Sequence, residues 1–146
     1  MRGEMEHAKA LIRQFEGCKL SAYTCPAGKE TIGYGHVLKP HEPKQITKEQ
    51  AERLLDIDCA IALLHIRKHV KISLSEKQTE ALVSFVFNIG AGNFETSTLL
   101  KKLNCGDIRG AGEEFLRWNK ARVNGKMTEL AGLSRRRKAE RELFLS

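Results

Sequence analysis

The chain has 146 residues, 41% apolar and 29% charged, which fits one compact unit with its own core and excludes a disordered or low-complexity protein. A formal net charge of +7 favours an anionic partner, whether nucleic acid, a membrane surface or a carboxylate-rich cell wall. Neither zinc-finger spacing nor an RNA-binding aromatic signature occurs, and no apolar run reaches membrane-spanning length, so neither a nucleic-acid partner nor membrane insertion is expected.

Residues 1–7 are too polar for a secretory signal, and accumulation in the cytoplasm is the expectation. Met5, Ala8, Leu11, Ile12 and Phe15 recur at helical spacing and predict a first helix ending near Glu16, with Gly17 as its stop. Glu16 then reads two ways. It is a proton donor whose pKa is lifted by an apolar surround and by the negative helix end, or it is an exposed terminal glutamate.

Leu20 and Ala22, a turn at Thr24-Cys25-Pro26-Ala27-Gly28, and the run Thr31-Ile32-Gly33-Tyr34-Gly35-His36 predict two short strands joined by a Pro/Gly turn. Glu16 on the helix end, Cys25 in the turn and Thr31 at the start of the returning strand can therefore converge. Lys39-Pro40-His41-Glu42-Pro43 reads as a connector, because two prolines disfavour both helix and central strand.

A capping box at Thr47-Lys48-Glu49-Gln50 and the apolar series Leu55, Cys59, Ala62, Leu63, Ile66 and Val70 predict one helix of about 20 residues or more, ~30 Å long, with a break near its end left open. His65 and His69 on it have a metal-pair spacing. The zincin glutamate and a third ligand are missing, so they read as solvated, and neither metal nor cofactor is expected. The four cysteines show no CxxC motif. Cys59 reads as a buried thiol, Cys105 carries no functional claim, and Cys18 could pair with Cys25 across the hairpin unless a reducing compartment prevents it.

A second capping box, Ser75-Glu76-Lys77-Gln78, opens a segment from Ala81 to Ile89 that is apolar nearly all round and reads as a central buried helix, stopped by Gly90-Ala91-Gly92-Asn93. Phe87 and Asn88 near its end are within reach of a cleft, although Phe87 as a residue reads first as core. Ser97 to Asn104 is a short helix, Asp107 caps another that carries Ile108, Ala111, Phe115 and a core Trp118, and Arg122 to Lys126 is a loop. The last helix begins near Leu133, docks through Ala139, Leu143 and Phe144, and bears Arg135, Arg136, Arg137, Lys138 and Arg141. Such a charge run is ordinarily a solvated face.

Glu16, eight intervening residues, Cys25, five more and Thr31 stand inside Glu16-Gly17, Cys25-Pro26-Ala27-Gly28 and Thr31-Ile32-Gly33-Tyr34-Gly35-His36. This pattern resembles the phage-type lysozymes (endolysins) of glycoside hydrolase family 24, which carry Glu, then Asp or Cys, then Thr at this spacing. The similarity continues through Ala81-Leu82-Val83-Ser84-Phe85, Phe87-Asn88-Ile89-Gly90, Ser97-Thr98-Leu99-Leu100, Phe115-Leu116-Arg117-Trp118-Asn119-Lys120, and Gly132-Leu133 with Arg135-Arg136-Arg137, and so covers nearly the whole chain.

The resemblance implies an α+β, mostly α fold: a lysozyme-like single domain over residues 1–146 with the cleft between two lobes. A hairpin lobe at about 15–45 is joined by a connecting helix at about 47–70 to a helical lobe made of about 1–14 and 70–146. It implies a monomeric muramidase acting on bacterial peptidoglycan and reaching the wall after a holin opens the inner membrane. Glu16, Cys25 and Thr31 would be catalytic, Phe87 and Asn88 would line the saccharide groove, and some arginines of the last helix would meet the anionic peptide stems. Glu16 would protonate the leaving oxygen, with Thr31 positioning the water and Cys25 assisting an inverting hydrolysis. An ordinary thiol, of pKa about 8.5, is only a few per cent ionised at neutral pH unless a cation such as Lys29 lowers it. A lytic transglycosylase and a non-catalytic peptidoglycan-binding module are the alternatives.

Overall fold

The computed structural model describes residues 5–25 and 28–146. Helix α3 (Glu76–Ile89) runs through the middle of the larger part of the molecule. Ala81, Leu82, Val83, Phe85 and Val86 are buried on every side of it, so it has to be covered all round. The cover comes from α1 (Glu6–Glu16), α2 (Lys48–His69) and α7 (Ala131–Leu145). Between α3 and α7 the short helices α4 (Ala91–Glu95), α5 (Thr98–Asn104) and α6 (Ile108–Glu114), with a 3-10 turn at Phe115–Arg117, close the core around Phe94, Leu99, Leu103 and Phe115.

Both capping boxes form: Thr47 and Gln50 exchange side-chain and backbone bonds at the start of α2, as do Ser75 and Gln78 at the start of α3. Helix α2 runs unbroken for 22 residues, because Ala51, Leu55, Cys59, Ala62 and Ile66 keep one face of it buried throughout. The chain after Gly90 turns at once into α4 instead of a loop. Helix α1 also has a cap that local sequence does not reveal. The buried Glu80 of α3 accepts the backbone N–H groups of His7 and Ala8 at 2.7 and 3.2 Å.

The small lobe holds three strands where two are expected. β1 (Lys19–Thr24), β2 (Glu30–Gly33) and β3 (His36–Val37) form an antiparallel sheet in that order, and β2 pairs Thr31 with Val37 and Ile32 with His36. The outer edge of β1 is occupied by the incoming connector, since Ala22 N–H donates to Lys44 O and Ile46 N–H to Leu20 O, both at 2.9 Å. His36 ties this lobe to α2: its ring nitrogens lie 2.7 Å from Asp58 and 2.9 Å from Glu42, and its cross-strand partner Ile32 is fully buried. Pro26 and Ala27 of the expected turn lie outside the described residues. No described helix is long and apolar enough to cross a membrane.

The segment read as a loop at Arg122 to Lys126 is a hairpin instead. β4 (Lys120–Val123) and β5 (Lys126–Glu129) pair in full register across Asn124-Gly125, both with positive φ.

Candidate active site

Glu16 is the last residue of α1, and its side chain emerges where the helix stops against the sheet. The expected apolar surround is not what it meets. Arg136, reaching over from α7, donates from Nη1 to Glu16 Oε2 at 2.7 Å, while Phe15 shields the same guanidinium at 6.0 Å. From the other side the backbone of Gly35 closes on the carboxyl group. A Cβ at that position would stand 2.7 Å from Glu16 Oε1, and Gly35 has φ +73°, so the tight turn before β3 both leaves room for the acid and confines it.

Across the cleft, the β1–β2 connection is drawn together by Cys25 N–H donating to Lys29 O and Gly28 N–H donating to Cys25 O, each at 2.8 Å. Thr31 follows on β2 opposite Tyr23 and is buried. Its hydroxyl donates to Lys29 O at 2.9 Å, which leaves the oxygen lone pairs directed elsewhere. Glu16, Cys25 and Thr31 line one cleft of about 830 Å³ together with Phe87 and Asn88, so all five residues singled out in the sequence are brought together.

The cleft contains residues that sequence patterns did not indicate. Tyr23 lines it, and burial, then the nearby Glu16 and Cys25, push its phenol pKa up. Trp118, expected in the core, is a wall residue. It is half-buried, packing edge-on against the buried Phe85 at 5.9 Å while also lining the cleft. Ala121 and Met127 of the unanticipated hairpin, with Leu130 at the start of α7, complete that wall. The Asn124-Gly125 pair between alternating residues was the available signal for it.

The arginine run of α7 corrects the sequence expectation most directly. Arg136 and Arg137 are 2% and 0% exposed, so they are not part of a solvated face. Arg136 Nε lies 3.2 Å from Glu140 Oε2, which also accepts from Ser84 Oγ at 2.6 Å. Arg137 donates to Asn88 Oδ1 at 2.7 Å and lies over the Phe85 ring at 5.1 Å. Its Nε comes within 3.0 Å of Glu140 Oε1 but is misaligned for a hydrogen bond, leaving Arg137 Nε and Nη1 and Glu140 Oε1 without an aligned partner among the described residues. Burial pushes the Arg137 pKa down to about 10 and that of Glu140 up, each against the pull of the other's charge. Among the described residues no cluster of His, Cys, Asp or Glu is built to hold a metal, and His69 lies 3.2 Å from Glu95.

A family description of phage lysozymes matches residues 13–140. An endolysin of Acyrthosiphon pisum secondary endosymbiont phage 1 is 49% identical over 141 residues, covering 97% of both chains. The SAR-endolysin of enterobacteria phage P21 is 40% identical over 131 residues, or 89% of this chain and 77% of the relative. The chain spans about half the length of the endolysins of Bacillus phages B103 and PZA, which it also matches. Among solved structures, the muramidase domain of SpmX from Asticcacaulis excentricus superposes with a TM-score of 0.85 at 37% identity, covering 100% of this chain and 97% of that one. The endolysin of Escherichia coli O157:H7 phage FAHEc1 gives 0.87 at 35% identity, with 97% and 92% covered.

Proposed function

Since the chain belongs to the phage lysozyme family of glycoside hydrolases acting on peptidoglycan, we propose that it is a muramidase whose chemistry is carried by Glu16, Cys25 and Thr31. The bond cut is the β-1,4 link between N-acetylmuramic acid and N-acetylglucosamine. The observation that carries this reading is the meeting of a carboxyl, a thiol and a buried hydroxyl across one open cleft of about 830 Å³.

Glycoside hydrolysis needs a proton delivered to the leaving oxygen and a nucleophile on the opposite face of the sugar. Glu16, held between Arg136 and the Gly35 backbone, is the proton donor. Thr31 already gives its hydroxyl proton to Lys29 O, so toward a water molecule it can only accept. A water that donates to Thr31 turns a lone pair toward the anomeric carbon, and Cys25 assists from the adjoining turn. Phe87, Trp118 and Asn88 supply two aromatic faces and an amide for the saccharide chain.

The test is mass spectrometry of what the purified protein releases from purified peptidoglycan. Muropeptides with ordinary reducing ends are expected from the wild type and from Cys25→Asp, and none from Glu16→Gln, which keeps the shape and loses the proton. Anhydro-muramyl ends would make it a lytic transglycosylase, and binding without release would make it a wall-binding module. Monomeric action and release through a holin belong to the same reading. On that reading lysis of expressing cells requires chemical permeabilisation of the inner membrane, and lysis without it would favour a release route like that of the SAR-endolysins among the relatives.

A further inference from the structure

Four ionisable side chains stand in one connected group behind the cleft. Glu16 Oε2 accepts from Arg136 Nη1 at 2.7 Å, Arg136 Nε lies 3.2 Å from Glu140 Oε2, and Arg137 Nε lies 3.0 Å from Glu140 Oε1. Ionised, the group carries two positive and two negative charges. Three of its members are almost completely out of water: Arg136, Arg137 and Glu140.

We propose that Glu140, acting through Arg136, is a positioning residue that fixes the direction of the Glu16 carboxyl and the pH range over which it keeps its proton. The inference rests on the reading of Glu16 as the acid. Positioning follows from the bonds that Arg136 makes on its inner side. Glu140 holds its Nε and the Ser84 carbonyl its Nη2 at 3.3 Å, so the remaining Nη1 points out of the core at Glu16. The effect on protonation follows from burial. Where water cannot screen, a unit charge acts over several ångströms. The charge of Arg136 opposes delivery of a proton from the carboxyl it binds. Glu140 offsets that charge from the far side of the same guanidinium, and Arg137 offsets Glu140 in turn.

The remaining charged and titratable neighbours of Glu16 differ in kind. Tyr23 on β1 and Cys25 and Lys29 at the turn border the open cleft, and the exposed Arg135 of α7 borders a second pocket that Glu16 also lines. Glu114, Arg117 and Lys120 stand on its opposite wall. Toward Glu140, α3 presents the Ser84 hydroxyl, and its next carboxylate, Glu80, is taken up by the N-terminus of α1.

The experiment is kcat/KM on purified peptidoglycan from about pH 4 to 9 for the wild type, Glu140→Gln, Arg137→Met and the double variant, with Glu16→Gln alongside. Glu140→Gln leaves an excess positive charge, so the alkaline limb, where the acid loses its proton, should move down by on the order of one pH unit. Arg137→Met leaves an excess negative charge and should move the limb up, and the double variant should return it toward the wild-type position. Should Glu140→Gln fail to fold, Arg137→Met decides; it keeps the apolar stem but also removes the Nη2 bond to Asn88, so the position of the limb is read and not the level of activity. Activity lowered equally at every pH, with unmoved limbs, would overturn the proposal and reduce the group to packing. Full activity in Glu16→Gln would instead remove the acid assignment itself.

Discussion

At the scale of the residue, the reacting groups are set by neighbours remote in the chain. Glu16 and Arg136 are 120 positions apart, which is why local sequence could flag the acid but not its partner. The spacing of Glu16, Cys25 and Thr31 was legible because the three lie on one helix end and one hairpin. Phe87 and Asn88 were legible as the open end of an otherwise buried helix. The apolar surround assigned to Glu16 was a local inference, and the guanidinium arriving from α7 replaces it. Gly35 gives a sharp test of how closely the acid is confined. Gly35→Ala would put a methyl group against Glu16 Oε1 and force a positive φ on alanine, at a cost of about 1 kcal/mol from the backbone alone. Peptidoglycan turnover should fall by roughly tenfold or more, with the thermal midpoint lowered only slightly. Wild-type turnover in that variant would show that the acid has freedom the structure does not give it.

At the scale of the element, the helices with conventional signals were legible to within a few residues, and those stabilised from afar were not. Thr47 and Ser75 announce α2 and α3 through local capping boxes. Helix α1 takes its cap from Glu80, 72 positions beyond Ala8, and no local pattern encodes that. Glu80→Ala would leave the His7 and Ala8 N–H groups without their carboxylate and should destabilise the fold by about 1 to 3 kcal/mol in chemical denaturation. No loss would mean that water serves the helix end equally well. The inward face of helix α7 is hidden from apolar patterning because Arg136, Glu140 and Phe144 have helical spacing but are mostly charged. Apolar periodicity cannot register a core made of paired charges. The hairpin β4–β5 is faint in the sequence for a related reason: its strands are short and largely exposed, so alternation is weak and only Asn124-Gly125 speaks for it.

At the scale of the whole molecule, the sheet is fastened to α2 by the His36 cluster, and that fastening depends on pH. Hydrogen bonding to Asp58 raises the His36 pKa against the opposing effect of burial, with Glu42 adding to the rise. The contribution of His36 is therefore complete below the ordinary imidazole range and is lost as pH rises through the raised value. Glu42 behaves oppositely. Burial works against its ionisation, but the Lys39 N–H and His36 outweigh it and lower its pKa, so its contribution is lost as acid is added. The cluster should be strongest at roughly pH 4.5 to 6.5, between the two ordinary ranges. His36→Asn should lower the thermal midpoint most in that window and flatten its decline toward alkaline pH. An unchanged pH profile would mean that other groups govern it.

Helix α1 precedes the sheet in sequence yet packs on α3 and α7, on the far side of the cleft. The chain therefore passes between the two sides twice, once at Gly17-Cys18 and again along α2. A body joined to another at two separated points cannot twist or slide freely against it. What remains is rotation about the line through both junctions, like a door on a pair of pins. Glu16 lies beside one of those pins, where a swing displaces it least, while the opposite rim travels furthest. Any such swing would therefore open the mouth at its far rim and leave the acid nearly in place.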